Sequence, residues 1–376
     1  MRVIVQKYGG SSVADLERIR AVADRIAASR ADGTGVVVVV SAMGNTTNEL
    51  LDLARQVTRH PDRRELDMLI SVGERIAMAL LAMALRERGV PARSLTGSQS
   101  GIITDESHAD ARVVEVRPDR VRRHLDAGEV VIVAGFQGVS RAREVTTLGR
   151  GGSDTTAVVL AAALGAAWCE ICSDVDGVWS ADPRVVAEAA RIDEMSLDEG
   201  LALARGGAKV LFEDALRYAR DHGVEIHASS TFGPGAGTRL RADVGATEGA
   251  RAVTGEAQLA RIRVAPGALV EAAEGLAAAG ARVRRRLGSL LWVDLRNAHG
   301  GLDAVVGVQD HASAAMVTAV GSGLGARLDL VARGEAALAA AAIPVTQAGA
   351  EGDAAWWEVP PERVDDAVRA VRAALV

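Results

Sequence analysis

Val36-Val37-Val38-Val39-Val40 is apolar at every position. Successive side chains of a strand point to opposite faces, so such a run needs apolar cover on both sides. A parallel strand held between two helical layers meets that demand, whereas a sheet with one wet face does not. β-branched segments at Val3–Lys7, Gly35–Ser41, Val130–Ala134 and Cys169–Ser173 read as strands. Between them, Leu16–Ser29, Thr47–Val57, Glu65–Arg88 and Thr155–Leu164 carry the helical period. This alternation predicts an α/β domain with a largely parallel, doubly covered sheet.

At 376 residues, nearly half of them apolar, the chain exceeds one typical core. Phe232-Gly233-Pro234-Gly235-Ala236-Gly237-Thr238 reads as a break between a first domain, 1–240, and a second, 252–376. The second is written in shorter units: strand Leu259–Val264, helix Ala268–Ala279, and strands near Arg282–Arg286 and Leu290–Leu295. The pattern recurs weakly at Arg327–Val331, Gly334–Ala341, Trp356–Val359 and Glu362–Leu375, which suggests two βαββα-like units in tandem. The net charge is −6 with no basic run interleaved with aromatics, which argues against a nucleic-acid partner. Met1–Val5 reads as a strand rather than a signal peptide, and no apolar run of spanning length is expected after it. A cytoplasmic protein with no membrane partner fits this pattern. Cys169 and Cys172 form a lone Cys-x-x-Cys inside a strand, which favours two buried structural thiols over a redox or zinc pair.

The common ATP-binding signatures are missing. Strand one instead ends in Lys7-Tyr8-Gly9-Gly10-Ser11-Ser12, where glycines let backbone N–H groups approach phosphate oxygens beside a lysine charge; an ordinary glycine turn is equally compatible. Thr146–Thr156 contains Gly149-Arg150-Gly151-Gly152-Ser153-Asp154 at a predicted helix start, with Ser153 or Asp154 suited to capping. An arginine beside two glycines there is a place to grip a carboxylate or phosphate bidentately. Ser173-Asp174-Val175-Asp176-Gly177-Val178-Trp179-Ser180-Ala181-Asp182-Pro183-Arg184 carries acids, an aromatic and an arginine, as a nucleotide platform or a solvated acidic turn would.

These three segments, with Ser41-Ala42-Met43-Gly44, Gly73-Glu74-Arg75 and Gly135-Phe136-Gln137-Gly138, resemble in order and spacing the motifs of bacterial aspartate kinases, members of the amino-acid-kinase family. The resemblance covers the first 240 residues. It implies an open αβα sandwich with a mostly parallel sheet, followed by C-terminal α+β tandem ACT-like units. It also implies ATP-dependent phosphorylation of the side-chain carboxylate of L-aspartate, with Mg²⁺ accompanying ATP. By resemblance, Lys7, Asp154 and Lys209 are catalytic, and Gly9, Gly10 and Ser11 hold the transferring phosphate. Ser173, Asp174, Trp179, Asp182 and Arg184 line the nucleotide side. Ser41, Thr47, Glu74, Arg150, Gly151, Gly152 and Ser153 form the aspartate pocket, with Glu74 toward the α-ammonium and Arg150 toward the α-carboxylate. No residue is assigned as a metal ligand.

Aspartate's carboxylate is already ionised at neutral pH, so the reaction needs no general base. The difficulty is bringing one anion to another, and lysines, Mg²⁺ and backbone N–H groups offset it. The second domain departs from the family. Arg282-Val283-Arg284-Arg285-Arg286-Leu287 stands where a Gln-Asn pair is usual, and the second unit looks shortened ahead of Gly334–Ala341. Leu211-Phe212-Glu213-Asp214 replaces a His-Pro step. The expectation is weak or absent lysine and threonine feedback, and a homodimer through the C-terminal region. A kinase for a related acidic amino acid is one rival. A catalytically silent paralogue is another, although it predicts damage at Lys7, Asp154 or Lys209, and all three are intact.

Overall fold

The computed structural model describes residues 1–30, 33–233, 235–245, 248–295, 302 and 305–376. Pro234, part of the expected break, lies outside them. The chain divides into two compact units. The first comprises Met1–Val178, Asp193–Leu197 and Val210–Val244; the second comprises Trp179–Ile192, Asp198–Lys209 and Gly245–Val376.

The first unit opens with β1 (Val3–Tyr8), α1 (Leu16–Ser29), β2 (Gly35–Val40), α2 (Thr46–Val57), α3 (Arg63–Ile70) and α4 (Val72–Glu87). There follow β3 (Ala92–Leu95), β4 (Ile102–Thr104), β5 (Val113–Val116), α5 (Asp119–Asp126), β6 (Val130–Ala134), β7 (Gln137–Ser140) and β8 (Val145–Thr147). It continues through α6 (Gly152–Leu164), β9 (Cys169–Ser173) and β10 (Glu194–Ser196). After α7 (Leu197–Arg205), all but its first residue in the second unit, it closes with α8 (Glu213–His222), β11 (Ile226–Ser230) and β12 (Thr238–Arg241). The main sheet runs β10-β12-β11-β9-β1-β2-β6-β3, with every neighbouring pair parallel except β11–β12. A second sheet, β5-β4-β7-β8, stands apart from it.

The valine run behaves as its pattern demands. Val36, Val38 and Val40 join Ile19, Val22 and Ile26 of α1 and Leu81 and Leu85 of α4 in one core, while Val37 and Val39 are equally buried on the opposite face, where α6 packs. Two expectations are corrected here. Glu65–Arg88 is not one helix, because the chain turns at Ser71 between α3 and α4. No Gly or Pro marks that turn; Ser71 donates its N–H to Asp67 O at 3.1 Å, and Gln137 Nε2 reaches the Ser71 carbonyl at 2.8 Å. The stretch Arg63–Glu87 also proves long and apolar enough to cross a membrane by length and composition, contrary to the reading that none is. Its apolar positions Ala77, Met78, Leu81, Ala82 and Leu85 are spent in the core, as in a buried helix of a globular unit. Cys169 and Cys172 are free and buried, and burial pushes the Cys172 thiol up to about 12, as structural thiols require.

The second unit contains β13 (Ala252–Val264), α9 (Leu269–Ala278), β14 (Arg282–Leu287), β15 (Leu290–Asp294), β16 (Val308–Val320), α10 (Leu328–Ala340), β17 (Gln347–Glu351), β18 (Ala354–Val359) and α11 (Val364–Leu375). Its antiparallel sheet runs β14-β15-β13-β16-β18-β17. Each half repeats the same βαββ order, and the halves meet where β13 pairs with β16, from Ala252↔Val320 to Val264↔Val308. Arg327–Val331, expected as a strand, lies almost wholly in α10. The first strand of that repeat is instead β16, whose Gln309-Asp310-His311 stretch hides the pattern. The arginine row is no solvated stripe. Arg284 pairs with Asp294 at 2.9 Å and approaches Glu256 at 3.5 Å, and Arg285 lies over the Trp356 ring at 5.6 Å. Desolvation brings the Arg285 guanidinium down to about 10.

Candidate active site

The glycine motifs gather at the carboxyl ends of four adjacent parallel strands, β9, β1, β2 and β6. This is also where strand order reverses about β1, the usual ligand crevice of an open α/β sheet. Lys7, in the last turn of pleat before Gly9, is 8 % exposed, and its Nζ lies 2.6 Å from Asp154 Oδ1. Asp154 is in the first turn of α6, whose N-cap is Gly151 at φ +72 with no side-chain capping bond. The expectation that Ser153 or Asp154 caps this helix is therefore corrected: the Asp154 carboxylate is held by the buried lysine instead. A charge pair this buried persists only because each member has the other.

After β1 the chain enters a short 3₁₀ turn, Gly10–Val13. The Gly9 N–H is taken by the Cys172 carbonyl at 3.3 Å, and Ser12 N–H closes onto Gly9 O at 2.9 Å. The Gly10 and Ser11 N–H groups precede that closing bond. A Cβ on Gly10 would stand 2.9 Å from the Ala42 carbonyl oxygen, and one on Gly73 2.6 Å from Ala42 Cβ. Both close approaches need glycine. Ala42 thereby joins the phosphate-type turn to the start of α4.

Glu74, the third residue of that helix, is 3 % exposed. Its Oε1 accepts the Ala42 N–H at 3.1 Å, while Oε2 has no hydrogen-bond partner among the described residues. Desolvation raises its carboxyl from 4.5 to about 7, with the backbone N–H groups of Glu74 and Ala42 opposing the rise. The neighbouring Arg75 turns to Gln137, its Nε donating to Oε1 at 3.2 Å. Ser41 follows β2 half-buried, with its N–H on Tyr8 O, and Thr47 sits in the first turn of α2. Ser153 is buried against Gly135, where a Cβ would meet its Oγ at 2.8 Å. The Phe212 ring covers Gly151, and Phe136 covers Gly152. Arg150 lies exposed on the same loop.

Ser173 ends β9 beside β1, in register with Ser230, and Asp174 follows, exposed. Among the described residues no cluster of three or more His, Cys, Asp or Glu is arranged for a metal. Trp179, Asp182, Arg184 and Lys209 belong to the second unit. Trp179 is half-buried against that unit's core, and exposed Asp182 is held by Arg184 at 2.6 Å. That hydrogen bond, more than the Arg184 and Lys209 charges, keeps the Asp182 carboxyl below its usual range. Lys209 is exposed.

A family model for the amino acid kinase family matches residues 2–228. This chain belongs to the amino acid kinase family. Within that family it is 56% identical over 239 residues to the aspartokinase of Mycobacterium tuberculosis, covering 63% of this chain and 57% of the relative. It is 50% identical over 266 residues to the aspartokinase of Geobacillus stearothermophilus, covering 70% and 65% respectively. The chain thus spans somewhat under three fifths of the length of the mycobacterial relative. Among solved structures, E. coli aspartokinase III in complex with aspartate and ADP aligns over 99% of both chains with TM-score 0.84 and 25% identity. Aspartate kinase from Synechocystis aligns over 99% of this chain and 69% of its own, with TM-score 0.60 and 34% identity.

The family reading did not reach Asp67 and His108. Asp67 is wholly buried, accepting from His108 Nδ1 at 2.7 Å and from Thr147 Oγ1 at 2.5 Å. The one sequence hint is an acid set within Leu66-Asp67-Met68-Leu69-Ile70.

Proposed function

We propose that the chain transfers the γ-phosphoryl group of ATP to the side-chain carboxylate of L-aspartate. The observation that carries this reading is the buried Lys7–Asp154 pair at the strand ends, beside the glycine turn at Gly9 and Gly10, with Glu74 Oε2, which has no hydrogen-bond partner among the described residues, nearby through Ala42. Lys7 supplies fixed positive charge where negative charge spreads in the transition state, and Asp154 holds its ammonium in place. Gly9 shapes the turn, and Gly10 and Ser11 present N–H groups to the phosphate. Glu74 receives the substrate ammonium, Arg150 its α-carboxylate, and Ser41, Thr47, Gly151, Gly152 and Ser153 complete that pocket. Ser173 and Asp174 lie toward the nucleotide, and nucleotide roles for Trp179, Asp182, Arg184 and Lys209 rest on the family resemblance. Mg²⁺, when bound with ATP, neutralises phosphate charge.

The same proposal takes 1–240 as the catalytic domain, 252–376 as tandem ACT-like units that support a homodimer, and the cytoplasm as the location. Feedback by lysine or threonine is weak or absent, because Arg284 stands in the arginine row and is already committed to acids of its own sheet. Acyl phosphate formed from ATP and L-aspartate, trapped with hydroxylamine, tests the reading. Lys7→Ala is expected to lower kcat by about 10²–10³-fold, the scale of removing one preorganised donor. No hydroxamate from aspartate would overturn the assignment, and inhibition by lysine or threonine would overturn the feedback part alone.

A further inference from the structure

Asp67 belongs to α3, and none of its side chain is exposed. Its Oδ1 accepts Thr147 Oγ1–H at 2.5 Å and Ala109 N–H at 3.1 Å; its Oδ2 accepts His108 Nδ1 at 2.7 Å and Ala109 N–H at 3.2 Å. In the tautomer with its proton on Nδ1, His108 donates to this carboxylate. Every donor on Asp67 comes from two segments distant in sequence from α3. Thr147 ends β8 and runs straight into the Gly149–Ser153 loop. The 105–111 segment packs on the same loop: Ala111 N–H bonds Thr147 O at 2.8 Å, and a Cβ on Gly149 would stand 2.3 Å from Asp110 Oδ1. On the other side, the Asp67 carbonyl receives Ser71 N–H, the turn from which α4 and Glu74 start.

We propose that Asp67 and His108 form a positioning pair that fixes the Gly149–Ser153 loop against the start of α4, and so sets the spacing at which an amino-acid substrate's carboxylate and ammonium are both met. Neither residue touches substrate in this scheme. The inference rests on the proposed aspartate pocket for its kinetic consequence, but not for its structural one. The substrate's two charges sit at a fixed separation, so displacement of one pole relative to the other by an ångström is costly.

The test compares His108→Ala, His108→Asn and Asp67→Asn in the full chain. Asn at 108 can place an N–H donor where Nδ1–H stood; Ala cannot. Hydrogen exchange of the 145–153 amides is expected to speed at least tenfold in His108→Ala and Asp67→Asn and to return near wild type in His108→Asn. The KM for aspartate is expected to rise roughly 10–100-fold in the first two, with the KM for ATP within about twofold. Unchanged exchange at 145–153 in a folded His108→Ala protein would overturn the proposal, as would equal rises in both KM values or an Asn variant no better than Ala. A wild-type protein inactive on aspartate would sink the functional reading, while the exchange comparison would still decide the clasp.

Discussion

Buried acids of the second unit, like Asp154 of the first, carry a cation of their own, whereas Glu74, among the described residues, does not. In the second, Asp294 and Glu256 share Arg284, Glu358 meets Arg261 at 3.0 Å, and Glu199 meets Arg251 at 3.1 Å. Those cations come from the same unit, so the charges are settled when it folds. In the first, Glu74 is more buried than Asp294, Glu256 or Glu358, yet among the described residues its hydrogen bonds come from backbone N–H groups and no cation pairs with it. An acid with its cation built in is a structural element. An acid left without one carries an unmet demand that an arriving ammonium can satisfy, and this marks a binding site more sharply than burial does.

That contrast breaks first at Arg284. Arg284→Met removes the guanidinium that meets Asp294 and Glu256, and chemical denaturation should register a loss of about 3–5 kcal/mol, the scale of removing one partner of a buried pair. The KM for aspartate should stay unchanged; a stability loss under 1 kcal/mol would show that these acids are not settled by Arg284 at all. Next comes Glu74→Gln, where the sign is opposite. The folded protein holds the Glu74 proton more tightly than the unfolded chain, so the stability linked to that proton is present below pH 4.5 and is lost as pH rises toward about 7. Above pH 7 the deficit is about 3 kcal/mol, the 4.5-to-7 shift converted at about 1.4 kcal/mol per unit. Glu74→Gln should therefore gain melting temperature over wild type at pH 8 and little at pH 5, while its KM for aspartate rises about tenfold or more. Equal melting shifts at both pH values would refute the assignment. The smallest effect is expected at Gly165, which ends α6 at φ +64 with open space around it. Gly165→Ala should cost about 1 kcal/mol through the left-handed backbone alone and leave both KM values untouched.

Much of the first unit was legible because its signals are local. Leu16–Ser29 and Cys169–Ser173 form over the same residues that periodicity assigns, and the valine run forces cover on both faces. The glycine steps were legible for the same reason, since a close approach has to be written where it occurs. The break at Ser71 was not, because what turns the chain there includes Gln137, 66 residues further on. Asp67 and His108, 41 residues apart, have no spacing that singles them out, and only the fold makes them a pair. Glu74 was chosen by family resemblance, but its missing cation is a property of packing. In the second unit β16 escaped because its first half is polar, while the two-fold repeat of strand order, written only weakly in the residues, is plain in the sheet.

The seam between β13 and β16 also governs how the chain can be made. Residue 252 finds its neighbour only when residue 320 exists. Until then, β13 presents one flank of a thirteen-residue strand with unanswered N–H and C=O groups. During synthesis that flank is a template for another nascent chain, and a product cut short near residue 300 would keep it for good. Such a fragment should aggregate by pairing β13 with β13, so this half of the molecule is made whole or not usefully at all.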